Sequence, residues 1–556
     1  MSTASHPDGR ELASRSRLMD RTQLVYRREL SPNELSYFLQ SRATGLNDVF
    51  TSIAFRAPST LMSPVRLSIV WAIMRQRHSL LACSVEMPRG NYDDAHFVYM
   101  PPPTHVTAIE QASQTIFLHD KKLGHELMDD CLNGPRLLSL SRLSRLDITR
   151  QSVGRGELFE YHLFLSSHHM IGGAIPVFQL INDMFELLAV QTDAELESLL
   201  RREWIDRWGH VAPKEAIMPS TETLLSVSKA SRLRRHALRV DHDNVQRRYV
   251  GGHVFPRAPQ AKTPPKPAQR TQTRQLQAKF SREQTIAIRA ACKAHGVSIG
   301  NAFFALCNIA WLRLMAAHPE YRQCAPKELP MLLYSVVNLE HILPPCQQPR
   351  LGLALEYLSV CLPGFLHSDP MCLFWHRAKE AHRQVGAYVR SPLLPGRALA
   401  TSEMRAERAK GWARFDDAIA QGSKAPPPPA SPATGAGAPS LALMGLSQQG
   451  SVDALFRTER YPAIELLDLV GGSRRGTGGV LLSTRTFLGR FGIWLNWDAG
   501  TVPNGGEIGL MDEFWRLVVD GVHELVLGDE RLLGTAEEVD SLKGTLTGTH
   551  TFRAKL

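Results

Sequence analysis

One stretch of this chain forces a strand to run into a helix within a few residues. Leu158, Phe159, Tyr161, Leu163, Phe164 and Leu165 read as a mostly buried strand. Val177, Leu180, Ile181, Met184, Leu187 and Leu188 then fall on one face at helical spacing. Between them lies Ser166-Ser167-His168-His169-Met170-Ile171-Gly172-Gly173-Ala174, with Pro176 suited to the first turn of the helix. Two adjacent histidines are thus expected at a strand end, on a tight turn, just before a helix N-terminus. Rigid elements on both sides would fix an imidazole there, as a general base requires.

Similar signals recur on both sides of a basic segment. Ser31-Pro32-Asn33-Glu34 supplies a capping Ser, a Pro for the first helical position and a Glu for a capping box. Ser63-Pro64 opens a second helix with Leu67, Val70, Trp71 and Met74 on its apolar face. Later, Ser281 and Gln284 repeat the capping box, and Ser298 starts an apolar helix through Ala302, Phe303, Leu306, Ile309, Ala310 and Leu314. Strands are predicted over 331–337, 479–486 and 489–498, and a last helix over 511–527. The expectation is an α/β (α+β sandwich) fold of two matching halves, 1–230 and 280–556, with the active site between them. A chain of 556 residues is too long for one core, which agrees.

The net charge of +10 is local. Residues 231–279 hold 12 Lys and Arg against 2 Asp, and the remainder balances at 52 basic and 52 acidic residues. That segment reads as a Pro-containing connector, either solvated or serving as an electrostatic aid for a polyanionic cosubstrate. No nucleic-acid-binding motif accompanies it, so no nucleic-acid partner is expected. Residues 421–440, rich in Pro, Ala and Gly, read as a disordered insert. The N-terminus lacks the apolar segment of a secretory signal, and no run of about 18 uninterrupted apolar residues suggests a membrane span. Eight scattered cysteines without a Cys-x-x-Cys fit reduced structural thiols.

Several chemistries are excluded by spacing. His125-Glu126 and His523-Glu524 lack the second His that a helical zinc site needs one turn on, and His376 and His382 point to different helix faces. Ser447 sits in Gly-Leu-Ser-Gln-Gln, which is no nucleophile elbow. Neither a P-loop nor a dinucleotide-binding loop is present. No metal is expected.

The His168-His169 turn resembles the His-His-x-x-x-Asp-Gly motif of CoA-dependent acyltransferases of the condensation and plant BAHD type. The likeness extends along the chain. Leu30 to Glu34, Gly45 to Asp48 and Ala72 to His78 look like the opening of fungal members. Cys292 to Ser298 looks like the start of their second half. Val337-Asn338-Leu339 with Pro344-Pro345 and Gly352, and Ser447 to Asp453, resemble segments that reach the active-site tunnel. The resemblance implies two chloramphenicol-acetyltransferase-like halves around a tunnel. It implies His169 as the base, His168 as a helper that orients the turn, and Asn338 and Ser447 as substrate-binding candidates. The sequence departs from the motif in one respect: Gly173 stands where the family has a structural Asp, and Ala174 where it has Gly.

The chain ends Ala554-Lys555-Leu556, a variant of the peroxisomal Ser-Lys-Leu address, so an import receptor and a peroxisomal location are expected. With that address, the resemblance is greatest to fungal acyltransferases of mannosylerythritol-lipid biosynthesis. It implies an acyl-CoA-dependent O-acyltransferase that moves a short or medium chain to a mannose hydroxyl, with acyl-CoA as cosubstrate, no cofactor, and a monomeric state. Two alternatives stand beside it. One is acyl transfer to another alcohol or amine of secondary metabolism; the other, motivated by Gly173, is a catalytically inactive acyl-CoA-binding protein.

Overall fold

The computed structural model of the chain describes residues 24–153, 157–209, 213–227, 229–257, 272–345, 351–429, 437–500, 502 and 509–528. Its strands in chain order are β1 (Tyr26–Glu29), β2 (Val49–Pro58), β3 (Ser84–Glu86), β4 (His96–Tyr99), β5 (Ile116–His119), β6 (Ser144–Ser152) and β7 (Leu158–Ser167). There follow β8 (Thr273–Lys279), β9 (Met331–Asn338), β10 (Leu355–Leu362), β11 (Ala442–Ser451), β12 (Glu465–Ser473), β13 (Val480–Phe487) and β14 (Arg490–Asp498). They form three sheets: β12-β2-β7-β6-β5, β10-β9-β11-β13-β14-β8, and a small β1-β4-β3. Helices cover the two large sheets, giving a mixed α/β protein of two halves with a separate apolar core in each.

Helix starts follow the capping chemistry of the sequence. Ser31 and Glu34 form the expected capping box of the helix Pro32–Ser41, and Ser281 with Gln284 that of Arg282–Ala294. Ser63 caps Pro64–Arg77 through the amide of Arg66, and Ser298 caps Ile299–Ala317 through that of Asn301. The helix Ile299–Ala317 is long and apolar enough to cross a membrane, yet it is the central core helix of the second half. Cys346, positions 430–436 of the predicted insert, and the Ala554 to Leu556 tripeptide lie outside the described residues.

Two features differ from the linear division into halves. Most of the described part of the predicted connector is not linker. Arg232–Gln246 is a helix that buries Leu238 and His242, and Thr273–Lys279 is edge strand β8, paired antiparallel with β14. The strand is hard to read because only Leu276 and Ala278 pack on the second core, while Gln275 and Gln277 alternate with them. The second departure is an exchange. Strand β12 leaves the second half and pairs antiparallel with β2, so Leu466 and Leu469 join the first core with Val452, Phe456 and Tyr461. The helix Leu394–Ala420 likewise packs on Pro32–Ser41, with Arg42 paired to Asp417 across the contact. The halves are therefore locked together by burial, and 280 is a boundary in sequence more than in packing.

Candidate active site

The histidine turn forms as its sequence predicts. β7 ends at Ser167, His169–Ile171 make one 3₁₀ turn, and the helix Ala174–Val190 follows with Gly173 as its N-cap. The backbone bonds of the turn are Ile171 N–H to His168 O at 3.1 Å and Gly172 N–H to His169 O at 3.3 Å.

Register in the first sheet decides what surrounds His168. Val49 opposes Ser167 in the β2–β7 pair, so Asp48 is carried beside His168 although 120 positions separate them in sequence. Asp48 Oδ1 lies 3.5 Å from His168 Nδ1. Arg136 holds Asp48 in a forked pair, Nε to Oδ2 at 2.8 Å and Nη2 to Oδ1 at 3.2 Å. The same Nη2 lies 3.2 and 3.4 Å from the two ring nitrogens of His168. Burial, reinforced by the charge of Arg136, pushes the His168 imidazole down to about 3, and the Ser139 backbone only partly offsets this. His168 is a neutral, fully enclosed ring whose amide also bonds Leu143 O at 3.0 Å. It holds the turn in place.

His169 points elsewhere. Its ring meets that of Tyr37, centroid to centroid 4.6 Å, and the Tyr37 hydroxyl bonds the Tyr357 hydroxyl of β10. Arg405, from the helix Leu394–Ala420, stacks on both phenols, with Cζ 4.1 Å from the Tyr357 ring centre and 5.2 Å from that of Tyr37. Tyr334 of β9 stands 6.3 Å from Tyr357, over Gly445 of β11, where any side chain would collide with its ring. Arg475, just beyond β12, donates to Ser473. His169 as a residue is half-buried, while its Nδ1 is enclosed and has no partner at hydrogen-bonding geometry. Desolvation pushes this imidazole down to about 4; the charges of Arg475 and Arg405 push the same way, against the nearby backbone of His169 itself and of Gly172. At neutral pH it is therefore an uncharged ring able to accept a proton.

The departure at Gly173 has a packing explanation. A Cβ built there would sit 3.6 Å from Leu355 Cδ2, and one at Gly172 would sit 2.9 Å from Leu351 Cδ1. Leucines of the second half thus pack against the turn, tightly at Gly172 and at ordinary contact distance at Gly173. The carboxylate and guanidinium that brace the turn are Asp48 and Arg136 instead.

The other sequence candidates separate. Asn338 lies at the exposed end of β9, its Oδ1 accepting from the Glu340 amide at 2.9 Å. Ser447 is half-buried on β11, two residues from Gly445 and so on the same side of the strand as the Tyr334 ring. Tyr37, Tyr334, Tyr357, Arg405 and Arg475 were not predicted. Two lie within helices, two within strands and Arg475 just beyond β12, and only the alternation of β9 and β10 could have marked Tyr334 and Tyr357 as facing away from the second core. Two surface cavities lie apart from this centre. The larger, about 220 Å³, is lined by Arg232, Arg235, His236 and Arg239 with Glu403, and does not reach His169.

No family model and no curated protein matches the sequence. Solved structures do match in shape. The trichothecene 15-O-acetyltransferase TRI3 from Fusarium sporotrichioides superposes with a TM-score of 0.64 at 12% identity, over 90% of this chain and 95% of that one. Polyketide synthase associated protein 5 from Mycobacterium tuberculosis gives 0.52 at 16% identity, over 89% and 98%. The first condensation domain of the CDA synthetase gives 0.52 at 14% identity, over 90% and 96%. The chain therefore has the two-half fold shared by these acetyltransferase and condensation-domain structures.

Proposed function

We propose that this protein is an acyltransferase in which His169 is the general base. The observation that carries the reading is a neutral imidazole fixed at a strand end, facing residues of both halves, with no side chain hydrogen-bonded to its ring. A hydroxyl is a weak nucleophile at neutral pH, so its proton must pass to a base as the oxygen attacks the acyl carbon. The C–O bond forms, His169 takes the proton, and the carbonyl oxygen becomes an oxyanion. Collapse then breaks the bond to the leaving group, which His169 protonates. With an acyl-CoA donor the leaving group is the CoA thiolate and no acyl-enzyme forms. Ser447 is the oxyanion donor we assign, and Asn338 a substrate contact farther out, at the exposed end of β9. Gly173 does not argue for an inactive protein, because the turn is braced by Asp48 and Arg136.

The finer reading names the acceptor as a mannose hydroxyl of mannosylerythritol and the compartment as the peroxisome. It is supported by the sequence resemblance and the C-terminal tripeptide. Purified protein given mixed acyl-CoAs and mannosylerythritol is expected to release CoA and yield an acylated glycolipid by mass spectrometry. His169→Ala is expected to lower turnover by about 10³-fold with an unchanged circular dichroism spectrum. CoA release without acyl glycolipid would reject the acceptor. Wild-type turnover by His169→Ala would reject the mechanism.

A further inference from the structure

The space at His169 carries positive charge without a countercharge. Arg405 reaches Ser36 Oγ at 3.5 Å and otherwise lies on two phenol rings; its Nε is buried without a partner. Arg475 donates to the Ser473 hydroxyl and carbonyl. Arg485 of β13, 3% exposed, donates to Gln449 Oε1 at 3.2 Å and lies 4.3 Å from the Trp494 ring, its Nε again unpartnered. Among the described residues none of the three has a carboxylate within ion-pair distance. Glu356, the carboxylate felt by Arg405, already accepts from Tyr388 and Thr401, and Asp468, felt by Arg485, is bound to Lys279. Arg28, Arg42, Arg66 and Arg136, by contrast, each hold an acid.

A second observation is independent of charge. Asn496 Oδ1 on β14, and both amide atoms of Gln275 opposite it on β8, are buried without partners. Asn496 is 2% exposed, and its neighbours Leu495 and Trp497 pack on the second core, so its side chain is turned to the other side of the sheet, as is Trp494 beneath Arg485. Buried polar groups of this kind are normally satisfied, and their clustering with unpaired guanidiniums marks a surface shaped for a polar, anionic ligand.

We propose that the substrate acylated or delivered at His169 carries a carboxylate, which Arg475 and Arg405 bind beside the base. The inference rests on the reading of His169 as the base. A guanidinium fork matches a carboxylate, and neither arginine must give up an existing acid to bind one. The CoA phosphates do not serve, because the pantetheine arm holds them far from the thioester carbon. The carboxylate therefore belongs to the acyl group, as a dicarboxylic acyl-CoA with mannosylerythritol as acceptor, or to an acceptor other than mannosylerythritol.

Calorimetry on the full-length protein separates the two. Succinyl-CoA is compared with butyryl-CoA, and mannuronate with its methyl ester. In one arm the carboxylate form is expected to bind at least about tenfold tighter, as a charged hydrogen-bonded pair provides. Arg475→Gln should bring that preference to within about twofold, and Arg475→Lys should restore part of it. The arm that discriminates identifies which reactant bears the acid. Equal affinities within both pairs for the wild-type protein would overturn the proposal. His169→Ala should keep the preference while losing turnover, so a failure of the base and a failure of the anion site are told apart.

Discussion

Two identical side chains, adjacent in sequence, have been given opposite surroundings. His168 is wedged against a forked Asp48–Arg136 pair and has protein groups on both ring nitrogens. His169 faces a centre of phenols and guanidiniums, and its enclosed Nδ1 has no partner. Both are neutral for the same first reason, desolvation, yet only His168 has its ring nitrogens engaged by other side chains. Ionisation state alone thus does not tell the two rings apart; their partners do.

The sharpest way to break this comparison is through the brace. Arg136→Ala leaves Asp48 as a buried unpaired acid and should cost about 3 kcal/mol in chemical denaturation. Arg475→Ala, which breaks no ion pair, should cost less than half as much. Equal losses would mean that Asp48–Arg136 is not what holds the turn.

A smaller effect comes from pH. The unfolded chain binds protons at its histidines from the ordinary imidazole value of 6.5 downward, while His168 and His169 resist until about 3 and about 4. More protons are then bound by the unfolded state. Stability is complete above 6.5 and falls as pH falls, by about 1.4 kcal/mol per pH unit for each ring. His168→Gln should remove one such contribution from the slope between pH 6 and 4. In activity, the acid limb of kcat/KM should lie near 4; a limb at 6.5 would show that His169 is solvated in the free enzyme.

The smallest change tests Leu355. Gly173→Ala places its methyl at ordinary contact distance and should alter the melting temperature by about a degree or two. Gly173→Asp, which restores the motif residue, should destabilise more, because its carboxylate is driven toward Leu355 with Arg136 already occupied. A stabilised Gly173→Asp would show that the turn still lacks an acid.

Much of the local structure was legible. Ser31, Ser63, Ser281 and Ser298 start the helices they were expected to start, since a cap needs only residues within one turn. The β7–turn–helix unit, β9, β13 and β14 were likewise written in nearby apolar spacing. β8 was missed because glutamines alternate with its two core-facing residues, Leu276 and Ala278, and the Arg232–Gln246 helix because its charge resembles a linker.

The sequence by itself determined where the elements begin, which two histidines stand at a strand end, and that the chain builds two halves. Tertiary structure alone decided that Asp48 meets His168, that β12 crosses into the first sheet, and that Tyr37, Tyr357, Arg405 and Arg475 gather at His169. Caps and periodicity are interactions among near neighbours in the chain. Strand register and the packing of one half on the other join residues hundreds of positions apart, and no local pattern encodes them.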